Sequence, residues 1–240
     1  MEAPVGKPNR NISLEALKYH WEGLAKDDEM FAIMAWENKR GHGWNPDDFF
    51  NTGQYDIDHY FRDFALRNCP DMNQTRALDF GCGIGRLTIP LSAYFEQMVG
   101  VDISHTMIET ANKLGRTTKC LYLLNEQDSL RLFGSESFDH VFTLIVLQHM
   151  VPAMQKAYLK EFARILRHKG TLFFQLPGVM PGQDLPREEL FGKPRMDMYG
   201  IAYEEVLGEL KANGLEVLAT GENNCVGPDL KSYHYLARKP

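Results

Sequence analysis

The stretch Ala77-Leu-Asp-Phe-Gly-Cys-Gly-Ile-Gly-Arg86 constrains this chain more than any other. An apolar run leads into three glycines at alternate positions, and a helix-period segment opens behind them. Glycine tolerates positive φ and lets a ligand approach the backbone closely. The start of a helix offers N–H groups with no partner inside the helix. The spacing G-x-G-x-G differs from the G-x-G-x-x-G fingerprint that grips a pyrophosphate. Asp79 stands two residues before the first glycine. A carboxylate there repels a pyrophosphate and suits a ligand that carries an ammonium group.

From Arg76 onward, short apolar runs alternate with helix-period segments. The runs cover residues 77–80, 98–101, 121–124, 140–146 and 171–176; the helical segments cover 86–95, 106–114 and 153–166. Pro90 falls inside the first of these helices and is read as a local kink. Such alternation predicts right-handed crossovers and a parallel sheet. The end of the chain differs. A helix over 204–211 stops at Gly214, and runs 215–220 and 232–237 follow with no helix between them, which predicts an antiparallel pair. The expectation is an α/β fold with a Rossmann-like, mainly parallel sheet of seven strands, closed by a C-terminal antiparallel hairpin.

Residues 1–70 read differently, as an N-terminal helical cap on a core spanning 71–240. Ser13 is placed to cap a helix running to Lys26, with Leu14, Leu17, Trp21 and Leu24 on one face. A second helix follows Gly53, where Ile57, Tyr60, Phe61 and Phe64 recur at i, i+3, i+4 and i+7. All three tryptophans lie in this cap.

Further residues extend the glycine-loop reading. The second strand ends at Asp102, where a carboxylate can accept both hydroxyls of a ribose. Ile103 and Met107 follow it and suit packing against an adenine face. After the third strand, Asn125-Glu-Gln127-Asp128-Ser129 supplies a polar loop, in which Asp128 can accept from an exocyclic amine and the Ser129 N–H can donate to a ring. The motifs DFGCGIGR, GVDIS, EQDS, FDHVFTLIVLQHM and ARILRHKGTLFFQLPG occur in this order over roughly residues 70–240. Together they resemble the class I S-adenosylmethionine-dependent methyltransferases, especially the small-molecule branch that includes ubiquinone- and menaquinone-type enzymes. The resemblance implies S-adenosyl-L-methionine as cofactor, S-adenosyl-L-homocysteine as product, and a sheet whose last pair is antiparallel. It implies cofactor contacts at Asp79, Phe80, Gly81, Cys82, Gly83, Gly85, Arg86, Asp102, Ile103, Met107, Gln127, Asp128 and Ser129. Backbone groups at Leu144 and Ile145, and the neighbouring His149, complete that set. Cys82 reads as a small residue that fits the loop.

Methyl transfer from a sulfonium mainly requires that the acceptor be brought close, aligned and shielded from water. A base is needed only where the acceptor must lose a proton. His149, just past the fourth strand, is placed for that role; the alternative is a structural histidine bonded to nearby backbone. Gln148 beside it can orient an acceptor. Methyltransferases acting on adenine bases or glutamine amides share an Asn/Asp-Pro-Pro-Tyr/Phe stretch here, whereas this chain has Thr143-Leu-Ile-Val-Leu147. Metal-dependent catechol chemistry needs hard carboxylate ligands at the same edge, and Asp139 sits at the opposite end of the strand, so no metal is expected. The acceptor pocket is expected to form from the aromatic N-terminal segment (Trp21, Trp36, Trp44, Phe50 and Tyr55) together with the loop over 177–200, which carries Tyr199. The plainer alternative makes the tryptophans core of the cap. Residues 44–58, WNPDDFFNTGQYDID, resemble the cap of some small-molecule members. A hydrophobic or aromatic small molecule is the expected acceptor.

With 26 basic and 32 acidic residues, net charge −6, the chain shows no basic stripe of the kind nucleic-acid binders carry. Four scattered cysteines form no C-x-x-C pair, which fits a reducing cytoplasm. The first residues lack the apolar core of a secretory signal, and the longest apolar run, 141–147, is far shorter than a membrane span. Two other readings stand beside methyl transfer: a nicotinamide-dependent oxidoreductase, suggested by the glycine loop and Asp102, and a non-catalytic S-adenosylmethionine-binding regulator.

Overall fold

A computed structural model describes residues 14–183, 191–227 and 230–240. All seven expected strands form: β1 (Arg76–Phe80), β2 (Gln97–Asp102), β3 (Cys120–Leu124), β4 (Phe138–Thr143), β5 (Leu166–Pro177), β6 (Glu216–Asn223) and β7 (Ser232–Arg238). Their order across one sheet is β3-β2-β1-β4-β5-β7-β6. Strands β1 to β5 pair in parallel. Strand β7 runs antiparallel to both β5 and β6. Because β1 lies between β2 and β4, the chain reverses its direction of travel across the sheet there. Open α/β sheets bind ligands at the carboxyl ends of the strands flanking such a point.

The helices are α1 (Leu14–Ile33), α2 (Pro46–Asp56), α3 (Leu66–Asn68), α4 (Thr88–Leu91), α5 (His105–Leu114), α6 (Pro152–Ile165) and α7 (Tyr203–Ala212). Between α2 and α3 the chain winds as a π-helix over Ile57–Ala65, burying Ile57, Tyr60, Phe61 and Ala65. The alternation of side chains along β1 and β5 divides the core. Leu78, Phe80, Leu172 and Phe174 face Tyr158, Leu159 and Phe162 of α6 and Val206 and Leu210 of α7. Ala77 and Phe173, with Phe142, face Ile57, Tyr60 and Phe61 of the π-helix. The helical segment before β1 therefore covers one face of the sheet, and each fully buried aromatic there contributes roughly 1.5–3 kcal/mol.

Four local expectations change. Helix α1 runs to Ile33, beyond Lys26, with non-helical backbone at Asp28; its expected cap, Ser13, lies outside the described residues. The helix expected over 86–95 contracts to the four residues of α4. Pro90 supplies no N–H, and the Ser92 hydroxyl donates back to the Ile89 carbonyl at 2.6 Å, turning the chain instead of extending the helix. Strand β4 stops at Thr143 because Ile145 has φ +62, which no strand accommodates. Strand β5 starts five residues earlier than the apolar run, at Leu166, with a register shift opposite Phe138–His140. Among the described residues, no helix is long and apolar enough to cross a membrane.

Candidate active site

A cleft opens at the carboxyl ends of β1, β2 and β4, under α1. Its floor is the glycine loop. Gly81 and Cys82 donate their N–H groups to the Val101 carbonyl at 2.8 and 3.0 Å, and Gly85 donates to the Cys82 carbonyl at 2.9 Å. The three glycines have φ of +76, +52 and +91. A side chain at Gly81 would enter Val146, and one at Gly85 would enter the Tyr122 hydroxyl, so this loop requires glycine for both torsion and space. Cys82 lines the cleft, and burial, with the charges of Asp102 and Asp79 nearby, holds its thiol well above the ordinary range. A protonated thiol is no nucleophile, which agrees with a space-filling role.

Asp102 ends β2 at the cleft wall. Its Oδ2 accepts from Gly83 N–H and its Oδ1 from Ser104 N–H, both at 2.9 Å. Enclosure raises its carboxyl, against the pull of those backbone donors. Each oxygen keeps a second lone pair for a ligand donor. Ile103, Met107 and Asn125 line the cleft alongside. Asn125 is tied in by its N–H to the Asp102 carbonyl at 2.9 Å and by its side-chain amide to the Ser129 carbonyl at 3.1 Å.

Arg86 brings the positive charge. Its guanidinium is buried, donates to Asp56 at 2.6 Å and to the Thr52 hydroxyl at 3.2 Å, and leaves Nε with no partner among the described residues. The close approach of α2 depends on Gly53, where a side chain would strike the Arg86 carbonyl. Asp79 lies beneath the loop, outside the cleft lining. The β1 pleat sends Leu78 and Phe80 to the α6 face and Asp79 to the other, where Thr88 Oγ1 donates to it at 2.6 Å. Burial pushes Asp79 up to about 7, with Thr88 and Arg86 opposing. Direct contact with a ligand ammonium, expected from the sequence, is not what this geometry provides.

The opposite wall is the corner after β4. Leu144, Ile145 and Val146 line the cleft. A β-branched residue at φ +62 is strained, at a cost of roughly 1–2 kcal/mol. The corner is held because Ile145 N–H donates to Gln175 Oε1 at 3.2 Å, while Gln175 Nε2 donates to Ser232 Oγ at 2.7 Å. Beyond it, a turn over Leu147–His149 is fastened by Gln155, whose amide donates to the carbonyls of Leu147, Met150 and Tyr199 at 3.0, 2.8 and 3.1 Å. Neither glutamine was singled out from the sequence. The available signal was a polar residue on an apolar stripe, Gln155 on that of α6 and Gln175 within LFFQLP.

His149 closes this end. Its Nδ1 lies 2.9 Å from the Asp197 carbonyl, which can only accept, so Nδ1 carries the proton and Nε2 the lone pair. The Gln148 amide lies 3.3 Å from Nε2. Burial takes the imidazole down to about 4, the Asp197 carbonyl opposing, so the ring is neutral near pH 7. Trp21 meets it edge-on with ring centroids 4.9 Å apart. Leu14, Leu17, Met150 and Tyr158 complete an apolar lining.

Of the expected acceptor residues, only Trp21 lines the cleft. Trp36, in the segment before α2, is 49% exposed and lies over Trp44 with ring centroids 5.0 Å apart, and Tyr55, on the outer face of α2, is 71% exposed. Trp44 and Phe50 are buried against Phe49 in the cap core, with the Trp44 indole donating to the Met34 carbonyl at 2.9 Å. Gln148 and Tyr199 are buried behind His149, the Tyr199 N–H donating to the Gln148 carbonyl at 2.7 Å. Gln127 and Asp128 are exposed and Ser129 sits half-buried outside the lining, whereas Asn125, in the same loop, lines the cleft. Asp139, at the start of β4, accepts from Arg76 N–H at 2.9 Å and Arg167 at 2.8 Å.

Comparison with known proteins agrees with this geometry. Residues 78–174 match the family model described as a methyltransferase domain. The ubiquinone biosynthesis O-methyltransferase of Parvibaculum lavamentivorans is 33% identical over 115 residues, covering 45% of this chain and 42% of that protein. A probable thiol methyltransferase of Arabidopsis thaliana is 27% identical over 64% of each chain. The match spans 36% to 42% of the length of the first three curated relatives. In fold, a S-adenosylmethionine-dependent methyltransferase from Leishmania major superposes with TM-score 0.69 at 16% identity, covering 99% of this chain and 87% of that one. Residues 78–174 thus carry a methyltransferase domain, set on a seven-stranded sheet with the glycine loop and Asp102 at the cleft.

Proposed function

We propose that this protein transfers a methyl group from S-adenosylmethionine to an uncharged, hydrophobic or aromatic small molecule. The observation that carries this reading is the Asp102 carboxylate, oriented by two backbone donors at the edge of a cleft whose floor admits only glycine. The residues present fit the cofactor. Asp102 would take the ribose hydroxyls, Ile103, Met107 and Asn125 the adenine, and the unpartnered Nε of Arg86 the amino-acid carboxylate. When bound, S-adenosylmethionine supplies a methyl group on a positively charged sulfur, which leaves as a neutral thioether.

The chain's own contribution is placement and exclusion of water. Residues 14–70 act as the cap, with Leu14, Leu17 and Trp21 of α1 roofing the cleft. Neutral His149 takes the acceptor's proton at Nε2 when the acceptor displaces the long Gln148 contact. No acidic side chain besides Asp102 lines the cleft among the described residues, which favours a neutral acceptor over a cationic one. Carriage by related names is consistent: a ubiquinone-pathway O-methyltransferase and a thiol methyltransferase are among its relatives. Calorimetric titration with S-adenosylhomocysteine tests the cofactor. Saturable one-site binding is expected, and no heat at millimolar ligand, alongside NADH binding, would replace this reading with the oxidoreductase one. Radiolabelled methyl transfer to phenols and thiols, with carboxylates and amines as charged comparisons, then tests the acceptor class; binding without any turnover favours a regulator.

A further inference from the structure

Helix α1 is joined to the rest of the fold in an uneven way. Its underside is apolar: Leu14, Leu17 and Trp21 line the cleft. Its opposite side carries residues 191–194. Tyr19 Oη donates to the Gly192 carbonyl at 3.1 Å, Phe191 meets the Tyr19 ring at 5.5 Å, and Pro194 lies so close that a side chain at Gly23 would come within 2.5 Å of it. At its C-terminal end the helix is interrupted at Asp28, whose backbone is extended (φ −162, ψ 96). Asp28 Oδ1 accepts from Phe31 N–H at 3.1 Å and Oδ2 from His42 N–H at 2.5 Å. That carboxylate starts a new helical turn, so residues 14–27 form a separate rigid piece beyond a fixed joint. Joints of this kind, at the ends of elements, are where lids swing.

Glu22 ties this piece to the floor of the site. Glu22 Oε2 accepts from Ser104 Oγ at 2.7 Å and from Thr106 N–H at 3.2 Å, and Oε1 accepts from Thr106 Oγ1 at 2.7 Å. These partners are the cap and second residue of α5, directly after Asp102 and Ile103. The carboxylate thus completes the start of α5, where backbone N–H groups lack helical partners. Burial alone would raise this carboxyl, yet the bonds from Ser104, Thr106 and Lys26 take it down to about 2, so it stays ionised throughout the physiological range. The surface pair of Lys18 with Glu126 is half-exposed and adds little.

We infer that residues 14–27 are a hinged roof over the cofactor cleft, and that Glu22 is its latch and the positioning residue that sets Trp21 against His149. The inference rests on the proposed cofactor for what lies beneath the roof. Trp21 and Glu22 are consecutive, so one helical piece joins the ribose end of the site, through Ser104 and Thr106, to the acceptor end, through the indole. Unlatching frees both at once. Entry and departure of the cofactor require the roof to lift, and the acceptor wall exists only when it is down. The cofactor therefore binds first and its product leaves last.

Stopped-flow displacement of S-adenosylhomocysteine, followed by tryptophan fluorescence, reads the roof directly. Loss of three bonds to a charged acceptor is expected to speed release about tenfold or more in Glu22→Ala, with Glu22→Gln in between. Thr106→Val, which alters the catch and leaves α1 untouched, should accelerate release in the same direction. Hydrogen exchange in cofactor-free protein reads the latch without any ligand: amides of residues 14–27 should exchange faster in Glu22→Ala, with α6 unchanged. Wild-type release rates together with wild-type exchange over 14–27 would overturn the latch. A general loss of protection across α1 and α6 alike would also overturn it, since that marks a purely structural residue. Wild-type protein that fails to bind S-adenosylhomocysteine would instead remove the cofactor reading, with the exchange experiment still deciding the latch.

Discussion

The two ends of the cleft are built from different materials. Around Asp102 the fixed points are backbone: the N–H groups of Gly83 and Ser104 orient the carboxylate, and the Asp102 carbonyl in turn accepts from Asn125 N–H. Around His149 the fixed points are side chains and loop: an indole edge, a carbonyl of the segment after β5, and the amides of Gln148 and Gln155. Backbone donors placed by strand ends keep their geometry through most substitutions. Side-chain contacts from a jointed helix and a loop do not. On the proposed function, the constant partner meets the invariant end, and the acceptor meets the end that sequence change can reshape without disturbing cofactor binding.

The sharpest way to break this comparison is at Asp102. Its replacement by Ala should remove two bonds to a charged acceptor, about 1.5–3 kcal/mol each, and weaken S-adenosylhomocysteine by a hundredfold or more. The acceptor KM should hardly move; an unchanged ligand Kd in calorimetry would dismiss the ribose role. His149→Ala comes next, with kcat about a hundredfold lower and cofactor affinity retained. In the wild type, the acid limb of kcat/KM should fall near pH 4, below the roughly 6.5 of a free imidazole. The same depression means that His149 adds stability above its unfolded value of 6.5, which is lost as the pH falls through about 4. A rate that persists in His149→Ala at saturating acceptor would make the ring an anchor for Asp197. The smallest effects separate the tryptophans. Trp21→Ala should raise the acceptor KM several-fold through loss of a ring contact of about 0.5–1.5 kcal/mol. Trp36→Ala should leave KM alone and cost only its ring contact with Trp44, about 0.5–1.5 kcal/mol of stability, and Tyr55→Ala, at the surface, should leave KM alone and stability within about 0.5 kcal/mol. Equal KM effects at Trp21 and Trp36 would contradict the cleft wall described above.

What could be read from the chain follows the same division. The glycine loop, Asp102 and the seven strands were legible because each is a local demand: a torsion only glycine meets, an acid at a strand end, a short run of apolar residues. The aromatic cap was not. Trp21, Trp36, Trp44, Phe50 and Tyr55 look alike in sequence, but their destinations depend on how α1 and α2 turn against the sheet, and only Trp21 reaches the cleft. Asp79 misled for a related reason: its distance from Gly81 is local, whereas the side of the sheet it faces is settled by pleat and by Thr88. The strained corner at Ile145 carried no glycine to announce it.

That corner bears on how the protein is made. The amide of Gln175 bridges Ile145 to Ser232, in β7, which is synthesised after the six other strands of this sheet. A growing chain would hold its glycine loop and both flanking strands long before this wall could settle. Competence would then wait for β7 to be made, and a product cut short ahead of β7 would present half a crevice.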